Sequence, residues 1–180
     1  MDFPQTTIAP LFVNSLSRYS AGIEVTVPFA PAMNSLTWPT ANKAIYIPFA
    51  LEFSYPVRRV FWLNGSSVTS TNFDFGIYSQ SGTKLYSSGS TAAAGASVLQ
   101  FVTPTAFLLS PGIYYMALSC SSITSNRGTS GLTSLTAPRN RMAGLLEEAS
   151  ALPLPATMTP VACTFTIYPL MGITQTASGF

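Results

Sequence analysis

The chain has 180 residues, a net charge of +2 and 47% hydrophobic residues. That hydrophobicity excludes intrinsic disorder, which needs low hydrophobicity and high net charge. The length suits one domain, large enough to remove about 70% of its unfolded surface from water. Only 8% of residues are charged, against roughly 25% in a typical soluble domain. A surface covered by partners or fixed in a large assembly is the preferred reading, and a secreted, glycan-coated domain is the alternative.

Residues 1 to 42 are punctuated by Pro4, Pro10, Pro28, Pro31 and Pro39. Within them Ile23 to Val27 alternates apolar and polar at period two, the mark of a half-buried strand. The remainder has little periodicity. It reads as an extended N-terminal strap carrying one strand, packed either on its own domain or on a partner. Its apolar residues Phe3, Ile8, Leu11 and Phe12 have no periodic face to bury against their own sheet, and with Trp38 they are the candidate partner-binding residues. No basic or apolar leader pattern is visible at Met1-Asp2-Phe3-Pro4.

The main domain is expected over residues 43–180. Ala44 to Phe53 is strand-like, with Pro48 at an edge or bulge because proline cannot donate to a ladder. Val57 to Leu63 is a second strand, running into Asn64-Gly65, a dipeptide that tolerates the positive φ angles of a tight turn. Asn64-Gly65-Ser66 also fits the N-glycosylation pattern, but the turn is the preferred reading. Next comes a hairpin. Phe73, Phe75 and Ile77 point one way and Asn72, Asp74, Gly76 and Tyr78 the other. A three-residue loop, Gln80-Ser81-Gly82, puts Gly82 in the left-handed position, setting Ile77 against Leu85 on the core side and Tyr78 against Lys84 outside. Ser87 to Ser97 reads as a loop, Val98 to Thr103 as a strand, and Ser110-Pro111-Gly112 as the turn opening a strand from Ile113 to Cys120. A polar loop follows to Ser134. Met142, Leu145, Leu146 and Ala149, at i, i+3, i+4 and i+7, predict one short helix over 140–150. A last strand is expected near Val161 to Tyr168, before a polar tail. About seven or eight short strands with regular turn signals predict a single all-β domain, a β-sandwich or jelly roll.

The chemistry-bearing residues are sparse. There is no histidine, and so no histidine base, metal ligand or triad partner. The acids are Asp2, Glu24, Glu52, Asp74, Glu147 and Glu148. On a helix Glu147 and Glu148 would stand about 100° apart, off a common face. Glu24, Glu52 and Asp74 could converge across a sheet, but solvated positions are expected. No C-x-x-C, phosphate-binding loop or Asp-rich calcium loop occurs. The expectation is a non-enzymatic chain with no catalytic, cofactor or metal residues.

The eight basic residues are scattered, whereas a nucleic-acid binder concentrates positive charge on one face. The most apolar stretch, Ala106 to Cys120, is broken by Pro111-Gly112 and falls short of the ~20 residues of a membrane span. Neither partner is expected. Cys120 and Cys163 could form a cross-strand disulfide, although buried free thiols are the preferred reading. Trp38, Trp62, Tyr46, Tyr55 and Tyr78 could form a platform for a cell-surface glycan. Of these, Trp62 reads as core and Trp38, beside Pro39, is the better candidate for exposure. Few charges and many aromatics favour a homotrimer or another symmetric ring.

Several runs carry a resemblance: Ile45 to Phe49, Val60-Phe61-Trp62 with Asn64-Gly65, Phe73 to Tyr78, Ser81 to Leu85, Gly89-Ser90-Thr91 and Leu109 to Leu118. Leu152 to Thr157 fits as well. In these the chain resembles a family of tailed-bacteriophage virion structural proteins. The resemblance implies a β-sandwich on the exterior of a phage particle, made in the host cytoplasm and contacting the major capsid or a tail protein. It brings no catalytic residues. A compact unit with an arm and no fibre-shaft repeat suits a capsid decoration or cement protein that stabilises the head. A tail-associated or receptor-binding appendage is the alternative.

Overall fold

The computed structural model describes residues 23–25, 33–68, 71–123, 126–130, 137–142 and 144–176. Its strands are β1 (Ile23–Val25), β2 (Met33–Thr37), β3 (Ala44–Leu51), β4 (Tyr55–Val57), β5 (Arg59–Leu63), β6 (Asn72–Ser79), β7 (Lys84–Ser87), β8 (Thr91–Ala92), β9 (Leu99–Val102), β10 (Phe107–Leu109), β11 (Gly112–Cys120), β12 (Asn126–Ser130), β13 (Leu146–Glu148), β14 (Val161–Ala162) and β15 (Met171–Thr174). The helix α1 covers Ala137–Met142.

The fold is an all-β sandwich. One sheet runs β14-β13-β3-β11-β6-β7, with β8 also on β6, and the other runs β1-β15-β5-β9. Among the described residues every strand pairing is antiparallel, and the long central pairs are β11 with β3 and β11 with β6. Between the sheets, Ile45, Ile47, Phe75, Ile77, Met116 and Leu118 meet Val60, Trp62, Met171 and Ile173 in one apolar core. Each such side chain contributes about 1.5–3 kcal/mol through removal from water. Two ribbons complete the body: β10 with β4, and β12 with β2, the latter beside β5. Among the described residues no helix is long and apolar enough to cross a membrane.

The large sheet is buried on both faces, which the hairpin reading missed. Tyr78, expected outside, is 0% exposed, as is Asp74. Ala44, Tyr46, Tyr78 and Ala117 form a second apolar cluster with Ala151 and Leu154, because residues 151–159 lie across that face. Gly82 does take the left-handed conformation, at φ 86°, and Tyr78 does face Lys84. However, a bulge between Ile77 and Tyr78 sets Ile77 against Tyr86, leaving Leu85 48% exposed.

The helix expected over 140–150 is α1 followed by strand. Gly144, at φ 79°, ends the helical path, and Leu146–Glu148 instead pairs with Ala44–Tyr46 at the otherwise open side of β3. Beyond that point β3 has no β13 partner, and Pro48 stands there, where no donor is required on that side. The last expected strand is also divided. Cys163, Phe165 and Ile167 keep the alternating inward burial of a strand. Their carbonyls, however, accept from side chains of α1: Arg141 Nε to Cys163 O at 2.8 Å, and Asn140 Nδ2 to Phe165 O at 2.8 Å and Ile167 O at 3.3 Å. Only Val161–Ala162 joins a ladder, while Met171–Thr174, taken from sequence as the start of a polar tail, is fully buried between β1 and β5. Part of the polar loop after Cys120 is the strand β12, and the expected strand from Val57 to Leu63 is interrupted at Arg58 between β4 and β5.

Candidate functional site

The charged and polar groups with the strongest geometry are fasteners of the backbone. Asp74 lies on β6 facing residues 151–159. Its carboxylate accepts from Ser87 Oγ at 2.8 and 2.9 Å, from Ser88 Oγ at 3.2 Å and from the Leu154 N–H at 3.0 Å. Next to it Tyr78 donates to Pro155 O at 2.7 Å, and Lys84 Nζ to Leu154 O at 2.6 Å. The Lys84 N–H reaches Ala156 O, and the Met158 N–H reaches Gly82 O, both at 2.9 Å. Five bonds therefore tie a proline-rich segment with no ladder of its own to the β6–β7 hairpin. Gly76 lets Leu154 approach: a Cβ there would stand 2.6 Å from Leu154 Cδ1.

Glu147 and Glu148 are successive residues of a strand, so they point to opposite faces of the sheet. Glu147 accepts from Lys43 Nζ at 2.8 Å and from the N–H and hydroxyl of Thr164 at 2.9 and 3.0 Å. Burial pushes its carboxyl upward, but Lys43 and the two Thr164 donors outweigh this and hold it below its ordinary value. Glu148 accepts from Tyr46 Oη at 2.7 Å, from the Thr159 N–H at 3.1 Å and from the Thr159 hydroxyl at 2.9 Å. Burial, reinforced by the bond to Glu148, raises the Tyr46 phenol. The two acids do not work on one face, though a strand separates them and not a helix.

A third fastener is built from amides. Asn64 Oδ1 accepts from Trp62 Nε1 at 3.2 Å, while its Nδ2 donates to Gly95 O at 3.0 Å and Gln100 Oε1 at 2.9 Å. Gln100 also accepts from the Ala94 N–H and donates to Ala92 O, both at 2.9 Å. Asn64 is 1% exposed with both amide donors engaged, which closes the glycosylation reading. Neither Asn64 nor Gly65 is among the residues with positive φ, so this dipeptide is a buried bracket and not the expected tight turn.

The five rings that could have formed a glycan platform are buried, Trp62 as its apolar strand indicated. Trp38, Trp62, Tyr46, Tyr55 and Tyr78 are 1%, 0%, 0%, 5% and 0% exposed. Trp38, the partner-binding candidate, is core: its ring packs in the main cluster and its Nε1 donates to Lys43 O at 2.8 Å. Cys120 and Cys163 are buried thiols in the same core and form no disulfide. Phe3, Ile8, Leu11 and Phe12 lie outside the described residues. Of the acids thought able to converge, Asp74 is wholly buried and Glu52 exposed, so solvent exposure holds for the second and fails for the first. Among the described residues no three His, Cys, Asp or Glu side chains gather as a metal site.

Sequence reasoning passed over Asp74, Asn64 and Gln100 as working groups. A signal existed for Asp74: a lone carboxylate inside the aromatic run Phe73-Asp74-Phe75, two residues from a glycine, marks a strand face that must be covered as well as satisfied. Compared with known proteins, the chain matches no family model, and no curated protein matches its sequence with significance.

Proposed function

We propose that this chain is a non-enzymatic structural protein of a tailed-bacteriophage particle, an exterior head decoration or cement protein that contacts its own copies and the major capsid protein. The observation that carries this reading is how the charged groups are used. Asp74, Glu147, Glu148, Lys43 and Lys84 all bond to backbone or to each other, stiffening the body at the sites where an enzyme would hold reactive groups ready. Such rigidity, with 8% charge, suits a copy fixed in a lattice. The family resemblance supports it from another side, and three of its runs, Ile45 to Phe49, Phe73 to Tyr78 and Leu109 to Leu118, fall largely on β3, β6 and β11.

Burial of the five rings removes support from a glycan-binding appendage. Location and copy number in purified particles test the rest. Labelled antibody spread over the head, with many copies per particle by quantitative mass spectrometry, is the expected result. Label confined to the tail would replace the head reading by the tail one. A chain absent from particles would overturn both.

A further inference from the structure

Three carboxylates hold the backbone of one segment. Asp74 on β6 accepts the Leu154 N–H at 3.0 Å, Glu148 on β13 the Thr159 N–H at 3.1 Å, and Glu147 on β13 the Thr164 N–H at 2.9 Å. The hydroxyls of the two threonines bond to the same two glutamates. Otherwise the segment is lightly held. Between residues 151 and 162 only Ala151 and Leu154 are buried. Its ladder is confined to Val161–Ala162 on β13, with an isolated bridge at Thr157. The body is built differently: β3, β5, β9, β11 and β15 contain no acid, and they supply much of the main core.

We propose that residues 151–162 are an acid-released flap: protonation of Asp74, Glu147 and Glu148 frees the segment as a unit while the two-sheet body stays folded. A carboxylate accepts on both oxygens. Once protonated it presents a donor on one of them, and it loses the charge that makes such bonds roughly twice as strong as neutral ones. The three anchored amides then face weakened acceptors over the same range of pH. Facing Asp74 are Tyr78 and Tyr86, with Ser87 and Ser88; facing Glu148 are Tyr46 and Tyr78; facing Glu147 are Lys43, Cys163 and, beyond that thiol, Arg141. Burial pushes the three phenols and the thiol upward, so they stay neutral in acid. Lysine and arginine side chains keep their charge there. The carboxylates are therefore the groups that change. Glu147 lies below its ordinary 4.5 in the folded state, so its hold is complete above that value and is lost as pH falls through the folded one. Lifting the flap uncovers Tyr46, Tyr78 and Ala117, which lie beneath Ala151 and Leu154. The release is a property of the chain itself and does not depend on a particle.

Hydrogen exchange of the full chain, read as protection factors at about pH 7 and about pH 3, tests the flap. The Lys84, Leu154, Met158 and Thr159 amides, all donors in bonds between flap and body, should lose protection together in acid, by roughly tenfold or more. The amides of β3, β6 and β11 should keep theirs. A variant combining Asp74→Asn, Glu147→Gln and Glu148→Gln imitates the neutral acids, so its flap should be poorly protected already near neutrality and change little in acid. If the triple variant does not fold, the three single exchanges carry the comparison, each lowering flap protection near neutrality and reducing the acid response. Flap amides as protected in acid as at neutral pH overturn the proposal. Loss of protection in step with β3, β6 and β11 also overturns it, since that is unfolding of the whole domain. An acid response undiminished in the variants overturns it too, assigning the switch to other groups.

Discussion

Replacing Asp74 with alanine removes one acceptor from three donors at once. The Leu154 N–H, in a residue 2% exposed, loses its 3.0 Å bond, and a buried donor left unsatisfied costs about 1–3 kcal/mol. The Ser87 and Ser88 hydroxyls lose bonds of 2.8 to 3.2 Å. Both residues are half-buried and can turn partly to water, so about 0.5–1 kcal/mol each is reasonable. Alanine also relieves the cost of keeping a carboxylate away from water, which offsets part of the loss. The net expectation is a destabilisation of about 2–4 kcal/mol, a large share of the 5–15 kcal/mol typical of a domain. Asp74→Asn keeps the shape and one acceptor oxygen but turns an amide N–H toward a donor, so it should fall between wild type and alanine. Urea unfolding followed by tryptophan fluorescence would measure this as a lower midpoint at unchanged slope. Hydrogen exchange should show the Leu154 amide losing protection in the alanine variant. A change under about 0.5 kcal/mol, or a Leu154 amide as protected as before, would refute the role given to Asp74.

Gly76→Ala should cost about 1–3 kcal/mol by overpacking, because its Cβ meets Leu154 Cδ1 at 2.6 Å; adding Leu154→Ala should relieve part of that cost in the same unfolding assay. Gly82→Val puts a β-branched residue at φ 86° and 3.1 Å from Met158 Cγ, and a midpoint shift equivalent to roughly 1–2 kcal/mol is expected. Glu147 has a lowered folded-state value against 4.5 when unfolded, so its contribution is complete above about pH 4.5 and is lost as pH falls through the folded value. Glu147→Gln should accordingly be less stable than wild type near neutrality, and the difference should shrink in unfolding curves taken below pH 4.5; a gap that widens with acid would contradict the assignment. Deleting residues 1–20 should leave a folded β domain, by circular dichroism, that no longer joins particles lacking the wild-type copy; normal incorporation would refute the strap's role in attachment.

Where the information was local, the sequence alone determined the outcome. The alternating runs of β3, β6, β9 and β11 placed those strands, because side-chain direction in a strand follows from backbone geometry with period two. Gly82 was legible for the same kind of reason, since a loop of that length needs one residue at positive φ. Period two says which residues share a face but not whether that face meets water. Asp74, Tyr78 and Tyr46 share the face opposite the main core, and only the docking of residues 151–159 buries them, through bonds such as Leu154 N to Asp74 across 80 positions. The apolar spacing of Met142, Leu145 and Leu146 is compatible with a helix, yet an open side of β3 about 100 positions earlier drew Leu146–Glu148 into its ladder. Trp38 stood beside a proline in an aperiodic segment, and its burial came from a core assembled by strands that follow it. Propensity and periodicity act over a few neighbours, whereas the free energy of covering a sheet face or completing an edge belongs to pairs of segments far apart in the chain, and only the tertiary structure brings those pairs together.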